Sequence, residues 1–202
     1  MKKLLLTGFE PFLEFPFNPS QVIAEELDGE QIGNHQVAGR ILPVEFAKSS
    51  AALLDIFYHE KPDVVISLGL AAGRDRITPE RVAINCNDGP RDNQGVVLTD
   101  QYIIEEGETA YLSLLPIRKM VNTLNKHNYP AEISNSAGTY LCNNVMYKML
   151  HEINTKQLNV KSGFIHIPAS HELAIKKQNL PSWSIESLIQ AITLAIQVLN
   201  DE

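Results

Sequence analysis

Cysteine is scarce in this sequence, with only Cys86 and Cys142 in 202 residues. The two lie far apart and lack CxxC spacing, so we expect neither a disulfide framework nor a zinc knuckle. No cluster of basic residues stands out, and 17 basic against 24 acidic residues give a net charge of −7. This balance argues against a nucleic-acid partner and favours a small or peptidic ligand.

Long apolar runs are missing as well. The amino terminus MKKLLLTGFE begins like a signal peptide, but its apolar run covers only Leu4 to Leu6, whereas a signal-peptide core needs roughly 7–15 apolar residues. No segment approaches the ~20 apolar residues of a membrane span. We therefore expect no membrane partner, and reduced thiols favour a cytoplasmic location.

What the sequence does contain is a regular alternation of strand and helix patterns. The length predicts one domain over residues 1–202. Strands are predicted at 2–7, 36–44, 62–70, 80–86, 131–136 and 163–168, and helices at 18–29, 47–60, 116–127, 142–153 and 182–200. The stretch 87–95 is predicted to be a loop. The alternation indicates an α/β fold with a largely parallel sheet covered by helices on both faces.

Cys142 begins a predicted helix, after a strand and a turn of small residues. Ligand sites in such folds lie where strands end and helices begin. A helix amino end favours the thiolate form, which is the nucleophilic form of cysteine. A buried cysteine that only packs against the sheet is the alternative, and position alone leaves both interpretations open.

A nucleophilic thiol needs a base, and the base needs an orienting group. The apolar strand GFIHIP places His166 near the sheet edge at which the 142–153 helix begins, and His171 is its competitor. For the orienting carboxylate the candidate is Glu80, with Asp88 and Asp92 as alternatives in the next loop. No spacing among these residues is a strong motif by itself.

Four stretches taken together resemble one enzyme family. They are TGFEPF with NPS (7–20), GR with ITPERVAIN and DN (73–95), SNSAGTYLCNNVMY (134–147) and FIHIP (164–168). In this order they are similar to pyroglutamyl peptidase I, or pyrrolidone-carboxylate peptidase, a family of cytosolic cysteine peptidases. With LPVEF (42–46), the resemblance runs from residue 7 through the C-terminal helix.

The resemblance implies a function and a set of site residues. It assigns the nucleophile to Cys142, the base to His166 and the orienting carboxylate to Glu80, and it matches Phe9 and Phe12 to aromatic residues that bind the substrate ring. It also implies an α/β/α sandwich with a mixed, twisted sheet, no metal or cofactor, and often a homotetramer. The implied activity removes an N-terminal pyroglutamyl residue from peptides. Backbone N–H groups at the helix start, including that of Cys142, are expected to bind the oxyanion.

The sequence departs from the family pattern at two places. Leu13-Glu14 stands where the family usually has two glycines, and the 87–95 loop is one residue short. Arg91 in that loop is our candidate for the family's arginine near the oxyanion. Arg74 matches the family pattern without a role that we can assign, and Cys86 has no family role.

Three rival functions can be considered on the same residues. A glutaminase-like amidotransferase usually carries its nucleophile in a tight elbow with glycines on both sides, whereas here Asn143 follows Cys142. A non-catalytic binding protein would not need Cys142, His166 and Glu80 intact. A thiol redox sensor would be expected to have a resolving cysteine nearby. These comparisons favour the peptidase.

Overall fold

The computed structural model describes residues 1–13 and 15–201, with a central β-sheet between two groups of helices. The strands are β1 Lys2–Phe9, β2 Gln31–Ile32, β3 His35–Leu42, β4 Val64–Leu70, β5 Thr78–Pro79, β6 Val82–Ile84, β7 Ala110–Leu112, β8 Lys161–Ile167, β9 Ala169–Ser170 and β10 Ser182–Trp183. The helices are α1 Pro19–Glu26, α2 Ser49–Glu60, α3 Ile117–Lys126, α4 Leu141–Thr155, α5 His171–Lys176 and α6 Ile185–Gln197, followed by a 3₁₀ turn at Val198–Asp201.

The central sheet has six strands in the order β2-β3-β1-β4-β8-β5. Its four inner strands run parallel, whereas β2 and β5 at the two edges are antiparallel to their neighbours. The predicted mostly parallel, mixed sheet is therefore confirmed. Because the inner strands are parallel, their carboxyl ends meet at one edge of the sheet, where α/β proteins hold their ligands.

Each face of the sheet packs against its own helices. Leu4 and Leu6 of β1 contact the cluster that includes α1, α3 and α6, whereas Leu5 contacts the cluster that includes α2 and α4. This follows from the two-residue period of a strand, which points successive side chains to opposite faces. By the same alternation, Phe164 of β8 lies on the α4 face and Ile165 on the other.

Helix α1 shows how a local signal positions the loop before it. The Asn18 side chain accepts a hydrogen bond from the Ser20 N–H at 3.1 Å, and Pro19 occupies the first helical position, as predicted. The helix ends at Glu26, three residues before Gly29, which adopts a φ of +80°. The Asn18 side chain also donates to the Glu10 carbonyl at 3.2 Å, which joins the two ends of the loop between β1 and α1.

Three of the predicted elements differ in the structure. The 131–136 segment forms only isolated bridges, and the Asn125 side chain binds both backbone groups of Ala131 at 2.9 Å. The predicted 80–86 strand is reduced to β6, which pairs with β7 outside the central sheet. The last helix begins at Ile185 because Ser184 caps it, and Ser182–Trp183 pairs with β9 instead.

Five short elements were not predicted at all: β2, β5, β7, β9 and α5. With two, two, three, two and six residues, they are too short for hydrophobic periodicity to reveal. Over the described ranges, no helix is both long and apolar enough to cross a membrane.

Candidate active site

Cys142 is the second residue of α4, at the amino end of the helix. The first backbone hydrogen bond across this turn runs from the Asn144 N–H to the Tyr140 carbonyl at 3.0 Å. The N–H groups before Asn144, including that of Cys142, therefore point out of the helix end. They provide the positive end of the helix dipole beside the sulfur atom.

Two asparagines after Cys142 fasten the start of α4. Asn143 accepts a hydrogen bond from the Ile84 N–H at 2.9 Å and donates to the carbonyls of Ile84 and Cys86 at 2.8 and 3.0 Å. Asn144 donates to the side chain of Asn87 at 2.9 Å. Both asparagines are buried. The sequence did not lead us to predict this role. The available signal was the pair of consecutive asparagines at the start of a helix.

His166 lies on β8 with its side chain on the α4 face, as expected from its two-residue spacing with Phe164. The two rings are 4.9 Å apart. In the neighbouring strand, Gly69 is paired with His166, and a Cβ atom at this glycine would lie 2.9 Å from the Cys142 Sγ and 2.7 Å from the Phe164 ring. The glycine thus leaves room for the thiol beside the sheet.

Glu80 follows β5 and is fully buried. Its N–H donates to the Phe164 carbonyl at 2.9 Å, which holds the residue against β8. Its Oε1 lies 2.7 Å from the Nδ1 of His166 and 2.7 Å from the Nη1 of Arg74. The structure therefore brings Glu80 and His166 together as the sequence predicted, and it adds an arginine to the pair.

The charges of this cluster follow from burial and pairing. Burial would raise the pKa of Glu80, but the interaction with His166 and the contact with Arg74 outweigh it and lower this pKa. Burial would likewise lower the pKa of His166, but Cys142 and then Glu80 raise it to about 9. At neutral pH the carboxylate is therefore ionised and the imidazole is protonated.

A small pocket, referred to below as the cavity, opens beside the thiol. Both aromatic residues assigned by the resemblance, Phe9 and Phe12, line it. Its other lining residues are Asn18, Val44, Leu70, Tyr140, Leu141 and Cys142. The structure thus places the two phenylalanines next to the candidate nucleophile.

Asn18 is a cavity residue that sequence reasoning treated only as a helix cap. Its Oδ1 accepts hydrogen bonds from the Ser20 N–H and hydroxyl at 3.1 and 2.8 Å, and its Nδ2 donates to the Glu10 carbonyl at 3.2 Å. An amide nitrogen has two N–H groups. The cap therefore fixes the orientation of Asn18 with its donor end at the cavity.

The alternative candidates are placed elsewhere. His171 is exposed and its Nδ1 lies 3.0 Å from the hydroxyl of Ser182. The Asp92 carboxylate accepts hydrogen bonds from three backbone N–H groups, those of Phe46, Gln94 and Val96, each at 2.9 Å. The Asp88 carbonyl accepts from the Thr139 hydroxyl at 2.7 Å. The Asp92 carboxylate thus stabilises its loop, whereas this contact of Asp88 is made by the backbone.

The two departures from the family pattern can also be located. Arg91 is exposed, and its backbone carbonyl accepts a hydrogen bond from the Tyr140 hydroxyl at 3.3 Å. Its side chain is not among the cavity-lining residues in the described part of the chain, so its role at the oxyanion stays a prediction. Leu13 adopts a φ of +52°, a conformation that favours glycine, and Glu14 lies outside the described residues.

The fold and the cluster define a class of protein. An α/β sandwich that presents a thiol, an imidazole and a buried carboxylate at the carboxyl edge of its sheet is a cysteine-type hydrolase. Within the described residues, no group of three or more histidine, cysteine or acidic side chains could hold a metal ion.

Comparison with known proteins then gives the family. The chain belongs to the pyroglutamyl peptidase family, whose model matches residues 2–202. It is 51% identical to the pyrrolidone-carboxylate peptidase of Oceanobacillus iheyensis over 99% of this chain and all of that protein, and 50% identical to that of Halalkalibacterium halodurans over 97% and 98%. The solved pyrrolidone carboxyl peptidase from Thermococcus litoralis superposes with a TM-score of 0.95 at 42% identity, covering 100% of this chain and 94% of that one.

Proposed function

We propose that this chain removes the N-terminal pyroglutamyl residue from peptides through Cys142, His166 and Glu80. The observation that carries the proposal is the contact of Glu80 with His166 at 2.7 Å, on the α4 face of the sheet where Cys142 borders an aromatic cavity. Family membership supplies the substrate class. The geometry supplies a role for each side chain.

At the start of the reaction, His166 carries the proton that came from the Cys142 thiol. The thiolate of Cys142 attacks the carbonyl carbon between pyroglutamate and the next residue, and the carbonyl π electrons move to oxygen. Backbone N–H groups at the start of α4, including that of Cys142, donate to this oxyanion. The tetrahedral intermediate then collapses, the C–N bond breaks, and the leaving amine takes the proton from His166. Glu80 orients the imidazole and stabilises its cationic form.

A thioester remains, and water hydrolyses it. His166 accepts a proton from the water, whose oxygen attacks the thioester carbonyl. Collapse of the second tetrahedral intermediate breaks the C–S bond, releases pyroglutamate and returns the proton to the Cys142–His166 pair. Acylation and deacylation use the same groups, so no cofactor is required by this scheme.

The chemistry of the cavity lining suits the acyl group of this substrate. The pyroglutamyl lactam is small, flat and uncharged, and such a ring binds apolar walls with a few oriented polar groups. Phe9 and Phe12 provide the walls, and the Nδ2 of Asn18 provides a donor to the lactam carbonyl. No lining residue that the structure describes carries a carboxylate. A free amino terminus would therefore lose its hydration without gaining an ion pair.

The first experiment is release of a chromophore from a pyroglutamyl amide. We expect turnover by the wild-type protein and none above background by Cys142→Ser. The matched control substrate is the corresponding prolyl amide, which has the same ring size but an ammonium group and no lactam carbonyl. Failure of the wild-type protein to cleave the pyroglutamyl amide, or equal cleavage of the prolyl amide, would contradict the proposal.

The remaining expectations concern the protein as a whole. We propose a single catalytic domain over residues 1–202, a cytoplasmic location and a homotetramer. Two free cysteines fit a reducing compartment, and exposed apolar side chains on β6 and β7, including Ile84 and Leu112, fit burial between subunits. Light scattering coupled to gel filtration measures the assembly. The mass of a monomer would rule out the tetramer.

A further inference from the structure

Arg74 contacts the carboxylate of Glu80, the residue that also contacts His166. Its Nη1 lies 2.7 Å from Glu80 Oε1, the same oxygen that faces His166 Nδ1, and it also contacts the hydroxyl of Thr78. Thr78 is itself paired with His166 between β5 and β8. Arg74 is about one-third exposed, whereas Glu80 is fully buried. The arginine therefore links a buried charge to the solvent.

A buried carboxylate needs a permanent partner, because an unpaired buried charge is strongly unfavourable. In the proposed reaction, which this inference builds on, the imidazole changes its charge. It is cationic before the leaving amine departs and neutral while the thioester waits for water. During the neutral interval, His166 no longer supplies a positive charge to Glu80. Arg74 is charged throughout, since a guanidinium does not lose its proton in this pH range.

We propose that Arg74 is a positioning residue that acts through Glu80. It holds the carboxylate ionised and in place when His166 is neutral. It also keeps the carboxylate from binding the imidazolium too strongly. The charged or titratable groups that face His166 are Cys142 from α4 and Glu80 from the segment after β5. Arg74 approaches Glu80 from the loop after β4. The imidazole thus lies in a field of one thiolate, one carboxylate and one fixed cation.

Replacing Arg74 by an uncharged residue should shift the pKa of His166 upward. Without Arg74, deprotonation of the imidazole leaves a buried carboxylate with no cation, so the His166–Glu80 pair retains its last proton to higher pH. In Arg74→Gln we expect the titration midpoint of His166 to rise by about one pH unit from its wild-type value, since a unit charge at this distance shifts a pKa by that order. We expect kcat to fall about tenfold because deacylation needs the neutral imidazole, with KM changed less than about twofold.

The experiment is a pH titration of ¹³C-labelled histidine followed by NMR, with His166→Ala to assign the resonance, alongside the kinetics. Arg74→Lys keeps the cation, and we expect it to restore the wild-type midpoint and most of kcat. Arg76→Gln is the matched control, because Arg76 is similarly exposed and pairs with Asp75 and Glu132 instead. An unshifted His166 midpoint in Arg74→Gln would overturn the inference. If the wild-type protein is inactive but the His166 midpoint still rises in Arg74→Gln, only the proposed peptidase activity is refuted.

Thermal unfolding provides a second test, which needs no assigned histidine resonance. If Arg74 neutralises Glu80, then replacing both residues should be less damaging than the two single losses combined. We expect the double variant Arg74→Gln/Glu80→Gln to unfold at a higher temperature than Arg74→Gln alone. Additive losses, or a double variant that unfolds as readily as Arg74→Gln, would overturn the inference.

Discussion

The two cysteines both lie next to Asn143, but different groups surround their sulfur atoms. Cys142 begins α4, near the imidazole of His166 and beside the cavity. Cys86 is half-buried next to β6, and its carbonyl accepts a hydrogen bond from the Asn143 side chain. Burial, and then the charges of Asp100 and Asp88, raise the pKa of the Cys86 thiol. The comparison teaches that the groups around the sulfur, an imidazole and a cavity for Cys142 but two carboxylates for Cys86, distinguish a candidate nucleophile from a structural thiol.

The largest effect should come from exchanging each sulfur for oxygen. We expect Cys142→Ser to lower kcat/KM for a pyroglutamyl amide by about 10⁴-fold or more, since loss of a nucleophile removes the covalent route. Cys86→Ser should retain activity within about twofold, because no step uses its thiol. Steady-state kinetics with circular dichroism as a folding control measure both. Comparable losses in the two variants would remove the distinction between the two cysteines.

The histidines provide the next test. We expect His166→Ala to lower kcat/KM by about 10³-fold or more, because the thiolate loses its cationic partner and the leaving amine its proton donor. His171→Ala is the matched control, since its ring contacts Ser182 at an exposed site, and it should retain most activity. Single-turnover measurement of acylation separates the two. An active His166→Ala enzyme would show that another group is the base.

The pH dependence follows from the raised pKa of His166, about 9 in the folded protein. Because kcat/KM reports the free enzyme, it should fall about tenfold per pH unit above pH 9, where the imidazolium that protonates the leaving amine is lost. The sign for stability is the same: a folded pKa above the unfolded value of about 6.5 stabilises the protein fully below pH 6.5, and this contribution is lost as the pH rises through 9. A pH–rate profile and denaturation at several pH values measure these. A basic limb near pH 7 would contradict this environment.

The smallest expected effect concerns the cavity beside Cys142. Asn18→Asp retains the cap of α1 but replaces the amide donor by an acceptor, so we expect KM for the pyroglutamyl amide to rise about tenfold and the unfolding temperature to fall, because the bond to the Glu10 carbonyl is also lost. That factor corresponds to the loss of one hydrogen bond, about 1.4 kcal/mol. The measurement is KM together with the unfolding temperature. An unchanged KM would mean that Asn18 serves only as the cap.

Several parts of the molecule were predictable from local sequence. The cap at Asn18, the strand around His166 and the helix that begins near Cys142 all have short-range signals, and the structure has these elements within a few residues of the prediction. The 131–136 segment forms only isolated bridges at Ala131 and Ser134, and the Asn125 side chain binds both backbone groups of Ala131. A side chain that satisfies backbone groups from another element leaves no mark in the hydrophobic period of the segment.

By itself, the sequence determined which groups can carry chemistry and on which elements they lie, because caps, strand alternation and helix starts depend on neighbouring residues. The family resemblance selected His166 and Glu80 among the candidates. Only the tertiary structure decided that Glu80 Oε1 is shared between His166 and Arg74 and that Asn18 borders the cavity beside Cys142. The physical reason is that such contacts depend on strand register and helix packing, which join residues far apart in the chain.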